Sequence, residues 1–188
     1  MDNISFKANI KPINQKQFRE LINTMDRKMC SVEYPWSLNE AKKVSNGYTE
    51  KICDCVFFGI VDNDKAYIAH LFPDNQDNRS KYLVRQNIIK NINLHDKNLQ
   101  GILVGSKNTK KSQTIYQNLT DIFNEFQIPF SELKTAKNPI HVAYTSQDNT
   151  WNIVTSAIDK MLKNNKNHTE ILNSTFEKVN ISALDKVV

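Results

Sequence analysis

The fold of this chain turns on Thr49-Glu50-Lys51-Ile52-Cys53-Asp54-Cys55-Val56-Phe57-Phe58-Gly59-Ile60-Val61 and the answering run Ala66-Tyr67-Ile68-Ala69-His70-Leu71-Phe72-Pro73. Both are apolar and of strand length, and Asp62-Asn63-Asp64-Lys65 between them has the composition of a turn. A β-hairpin over residues 50–61 and 65–72 is therefore expected. In it, the cysteines that open the first strand lie beside the histidine inside the second. A thiol and an imidazole on neighbouring strands make a candidate nucleophile and base, and spacing alone leaves Cys53 and Cys55 equally eligible.

Toward the N-terminus, Asn14 to Gln17 resembles a capping box, and Phe18, Leu21, Ile22, Met25 and Met29 recur at helical spacing. Cys30 closes this helix as a small packed hydrophobe. Residues 32–38, with Pro35 and Trp36, read as irregular, and Trp36 as core or cleft wall. Residues 39–44 add a short helical turn ended by Ser45-Asn46-Gly47.

Toward the C-terminus, Ser80 can cap a helix carrying Tyr82, Val84, Ile88, Ile89 and Ile92. Gly101-Ile102-Leu103-Val104-Gly105 reads as a buried strand. A helix after Ser112 turns Ile115, Leu119, Ile122, Phe123 and Phe126 inward and ends before Ile128-Pro129. Residues 139–145 and 151–154 form a second hairpin, although Val154, Ile158, Met161 and Leu162 also fit a helix. Beyond Lys163 a weakly amphipathic segment with Ile171, Leu172 and Phe176 reads as a terminal appendage. Strands alternating irregularly with helices predict an α+β domain, mixed β-sheets packed against helices, rather than a doubly wound parallel sheet.

Length and composition suit one soluble globular domain of 188 residues, 39% hydrophobic and 24% charged. No apolar run approaches the roughly 20 residues of a membrane span. The first residues lack the pattern of a secretory signal, so Sec export is not expected. Three cysteines disfavour a disulfide scaffold and point to a reducing compartment. The C-x-C pair has no second pair to complete a zinc site, and His95, His141 and His168 fall at no ligand spacing, so no metal is expected. The net charge of +5 comes from dispersed lysines without interleaved aromatics, which reads as solvated faces rather than a nucleic-acid surface.

An imidazole acting as a base needs its other nitrogen oriented, and Thr49, six residues before Cys55, can supply an oxygen. Backbone N–H groups of Asp54 and Cys55 can stabilise an oxyanion. The order Thr-x5-Cys, a hydrophobic strand, an acidic turn and a strand closing near Ala69-His70-Leu71-Phe72-Pro73 resembles CheD, the chemoreceptor glutamine deamidase. It is similar as well to toxin deamidases related to cytotoxic necrotizing factor and Burkholderia lethal factor, whose Leu-Ser-Gly-Cys motif Ile52-Cys53-Asp54-Cys55 matches in position. Lys81-Tyr82 is similar to the family's Arg-Tyr segment, and Leu103-Val104-Gly105-Ser106-Lys107-Asn108 to its Gly-Gly-Ala-Asn strand end. The resemblance covers residues 45–155, leaving residues 1–44 as an N-terminal helical extension and 156–188 as a C-terminal helical appendage of a single globular domain.

The resemblance implies the CheD/cytotoxic-necrotizing-factor-like cysteine hydrolase fold, with Cys55 as nucleophile, His70 as its base and Thr49 orienting His70. The reaction it implies needs no cofactor: conversion of a glutamine side chain of a protein substrate to glutamate through a thioester, or transglutamination if an amine replaces water. Asp54 and Cys53 replace the small residues of the family motif, and Asp54 is expected to raise the thiol pKa by like-charge repulsion. These departures suggest a specialised relative, such as an effector secreted by a route other than Sec into a host cytosol. The alternatives are a chemotaxis deamidase of the bacterial cytoplasm and a catalytically silent binding module on the same fold.

Overall fold

The computed structural model describes residues 9–26, 42–63, 65–96, 98–106, 109–135 and 139–176. The expectations for Met29, Cys30 and Trp36 lie outside them. Two mixed sheets and five helices make up the described residues, an α+β architecture. One sheet contains β1 (Asn9–Pro12), β3 (Asn46–Ile52), β8 (Ile140–Thr145) and β9 (Thr150–Val154) in the order β1-β9-β8-β3. The other contains β2 (Lys42–Val44), β4 (Val56–Asp62), β5 (Lys65–Leu71), β6 (Gln100–Ser106) and β7 (Phe130–Thr135) in the order β2-β5-β4-β6-β7. Helices α1 (Gln15–Asn23), α2 (Asn78–Asn91), α3 (Lys110–Glu125), α4 (Ser156–Lys163) and α5 (His168–Thr175) complete the set.

Alternation along the strands builds three apolar layers. Phe57, Ile68 and Val104 from one sheet meet Val142, Tyr144, Trp151 and Ile153 from the other between the sheets. Phe58, Ile60, Tyr67 and Leu103 turn the opposite way, onto Val84 and Ile88 of α2 and Ile115, Leu119 and Phe123 of α3. Tyr48, Ala143 and Val154 pack on Phe18 of α1. Central β4 is buried along its whole length, which explains why Val56 to Val61 is apolar without alternation. Residues 156–176, expected as an appendage, place Ile158 and Ile171 in the inter-sheet layer.

The hairpin holds for β4 and β5, which pair antiparallel from Val56 opposite Leu71 to Asp62 opposite Lys65, with Asn63 at φ 60° in the turn. Its expected first strand, residues 50–61, is instead two strands in different sheets. Lys51 takes φ 54°, a β-bulge lies between Thr49 and Ile52, and the chain bends at Cys53 and Asp54 before entering β4. Residues 42–44, expected as a helical turn, pair with β5, and Asn46-Gly47 opens β3 rather than a turn. Edge pairing overrides weak local propensity in both places. Strands β1 and β7, absent from the sequence reading, join their sheets in parallel to β9 and β6. In α2 the buried face is Ser80, Val84 and Ile88, while Tyr82 and Ile89 are exposed.

His141 on β8 is buried against Phe18, its Nδ1 3.7 Å from Glu50. Burial first, then Lys51 and Arg19, lowers its pKa below the ordinary 6.5. Below pH 6.5 the unfolded chain takes up a proton that the folded chain resists until its own lower pKa is reached. Stability is therefore expected to fall as pH drops from 7 toward 5, and His141→Gln to flatten that slope in urea titrations.

Candidate active site

Thr49 faces inward from β3, and His70 faces inward from β5, so a bond between them must cross from sheet to sheet. It does: Thr49 Oγ1 and His70 Nδ1 are 2.8 Å apart, with the residues 0% and 2% exposed. Phe72 stacks on the His70 ring, centroids 5.4 Å apart and planes within 7°. The imidazole is thus held on one nitrogen by a hydroxyl and on one face by an aromatic ring, and its Nε2 is buried.

Cys55 immediately precedes β4. Phe57 stands directly opposite His70. Cys55, two residues before Phe57 and just ahead of the paired register, belongs to the same inter-sheet cluster as Phe57. A direct bond joins Thr49 to His70, and the strand that begins after Cys55 pairs with the strand of His70.

Three features seat the thiol. Gly105 on β6 pairs with Val56, and a Cβ there would meet the Cys55 carbonyl oxygen at 2.9 Å, so only glycine lets the strands approach this closely. The backbone amide of Cys53 favours the thiolate of Cys55, against the larger effect of burial. Ser112, in the first turn of α3 and fully buried, donates its hydroxyl to the Asp54 carbonyl at 2.5 Å.

No family model matches the chain, and no curated protein matches it.

Cys55 is 9% exposed and its pKa is raised to about 11, by burial first, then by Cys53 and Asp54. The expected like-charge effect of Asp54 is present but ranks behind burial, because the Asp54 side chain is exposed to solvent. A resting thiol at neutral pH is consequently protonated, and attack requires a base to remove the proton as the bond forms. In iodoacetamide labelling near pH 8, exposed Cys53 is expected to react while Cys55, about one part in a thousand ionised, is spared. Labelling of Cys55 should rise tenfold per pH unit toward 11. Equal rates at the two cysteines would contradict this burial.

The sequence reading missed Ser112, Gly105 and the Cys53 amide. The helix was expected to follow Ser112, whereas Thr109 caps it and Ser112 lies in its first turn, and nothing local joined Ser112 to residue 54, which is 58 positions away. Among the described residues no group of three or more His, Cys, Asp or Glu side chains could hold a metal ion, and no helix is long and apolar enough to cross a membrane.

Proposed function

We propose that the protein is a protein-glutamine deamidase with Cys55 as nucleophile, His70 as general base and Thr49 as the residue that orients the imidazole. The observation that carries this reading is the buried Thr49–His70 bond beside the strand that Cys55 opens. For His70 to act through Nε2, Nδ1 carries the proton and donates it to Thr49 Oγ1. Nε2 takes the thiol proton as Cys55 sulfur attacks the side-chain carboxamide carbon. The amide C–N bond then breaks, and the same proton leaves with ammonia. Water, deprotonated by His70, cleaves the thioester to glutamate and restores the thiol. The tetrahedral oxyanion falls to backbone N–H groups of Asp54 and Cys55.

The partner in this reading is a protein bearing a reactive glutamine, as a host protein met by a secreted effector or as a chemoreceptor. A primary amine in place of water would give transglutamination. Incubating candidate proteins with the chain and reading the Gln to Glu mass change, with Cys55→Ala as control, tests it. One observation favours a second reading, a binding module with a silent cysteine: the thiol is buried and its pKa raised to about 11. Equal mass change with Cys55→Ala would remove the thiol from the mechanism, and no change with any substrate would leave the binding reading.

A further inference from the structure

We propose that Ser112 is the positioning residue of the Cys55 loop. It is 0% exposed at the third position of α3, and it spans the gap between that helix and the bend at residues 53–54. A serine hydroxyl has one proton to give. That proton goes to the Asp54 carbonyl, so in the 2.9 Å contact between Thr109 Oγ1 and Ser112 Oγ the threonine is the donor, while its oxygen accepts from the Ser112 amide. The cap of α3 therefore runs as a relay from Thr109 through Ser112 into the backbone of the loop.

Two consequences follow for the peptide between Asp54 and Cys55. A trans peptide sets the Cys55 N–H opposite the Asp54 C=O, so with the carbonyl turned to α3 the N–H points away from that helix. A hydroxyl on the carbonyl also polarises the peptide and strengthens that N–H as a donor. On the deamidase reading, on which this role rests, the Cys55 N–H is one of the groups that meet the oxyanion.

The same helix holds the segment on the histidine side. Lys111 Nζ pairs with Asp74 at 3.0 Å, and Asn118 Nδ2 donates to the Gln76 carbonyl at 3.1 Å. Asn75 closes that turn by accepting from the Phe72 amide and donating back to its carbonyl, and Phe72 carries the ring stacked on His70. Exposed Lys111–Asp74 contributes little energy. The buried Ser112 bond is the tie that sets the thiol.

The experiment labels full-length protein with iodoacetamide, resolves Cys55 from Cys53 by peptide mass, and follows urea midpoints in parallel. In folded Ser112→Ala, Cys55 is expected to label at least tenfold faster relative to Cys53, with its pH profile moved below that of the parent. Ser112→Thr, which restores the hydroxyl, should return both toward the parent. Deamidation by Ser112→Ala should fall at least tenfold in kcat with KM little changed. Unchanged Cys55 labelling and pH profile in a folded Ser112→Ala protein would overturn the proposal. Should that variant fail to fold, Thr109→Val at a half-buried position cuts the relay, and an absence of faster Cys55 labelling there would overturn it equally. A parent that deamidates nothing, with labelling still accelerated in Ser112→Ala, would remove the deamidase reading and leave the positioning role standing.

Discussion

On the proposed deamidase mechanism, Cys55→Ala and His70→Ala are each expected to lower deamidation of a susceptible protein by at least about a thousandfold, the range of losing a nucleophile or its positioned base. The argument is sharper for His70 than for an ordinary active-site base. The Cys55 thiol is raised to about 11, so almost no thiolate exists at neutral pH unless a base removes the proton during attack. His70→Ala should also leave the Thr49 hydroxyl buried without its imidazole, costing about 1–3 kcal/mol of stability. Thr49→Val keeps the shape and removes only the orienting oxygen. Its rate loss should be smaller, about 10- to 100-fold, as for other outer-shell partners of an oriented imidazole. Time courses of Gln to Glu conversion for the three variants rank these effects. A Thr49→Val loss equal to that of His70→Ala would mean that Thr49 does more than orient the ring.

Gly59→Ala is expected to be the most damaging single methyl in the fold. Gly59 lies in the middle of β4, and a Cβ there would fall 2.1 Å from the tip of the Trp151 ring in the facing sheet. The ring cannot step aside, being 1% exposed and packed between Tyr144 at 4.8 Å and Phe57 at 5.8 Å. Overpacking of this kind costs about 1–3 kcal/mol. In a domain of this size that corresponds to a Tm lower by about 3–10 °C. Trp151→Leu alone opens a cavity and also destabilises. The double variant should be less destabilised than the sum, because the alanine methyl then occupies space the indole has left. Thermal melts of the two single variants and the double complete the cycle, and strict additivity would mean that the two residues do not compete for the same volume.

Much of the local architecture was legible. The capping box at Asn14 and Gln17, the stop of α3 before Pro129, the hairpin turn at Asn63 and the second hairpin at residues 139–154 all follow from side-chain chemistry within a few positions. What escaped has a common cause. A short strand such as β1 or β2 owes its existence to a partner far along the chain, here β9 and β5, and local propensity says little about it. The continuous apolar run through residue 61 concealed a change of sheet, because a fully buried central strand and the end of its predecessor look alike when neither alternates. Only the left-handed Lys51 and the bulge after Thr49 mark where the chain leaves one sheet for the other.

By itself, the sequence determined that the strand after the C-x-C pair and the strand of His70 pair; its spacing left Cys53 and Cys55 equally eligible, and the family resemblance singled out Thr49, Cys55 and His70. Cys-to-His spacing across a short turn is local information. The tertiary structure decided that Thr49 comes from the opposite sheet, that burial rather than Asp54 leads in raising the thiol pKa, and that the Ser112 hydroxyl reaches the Asp54 carbonyl. Those are contacts across 21 to 58 residues, formed only when two sheets and a helix close on one another, and no pattern within a strand or a helix encodes them.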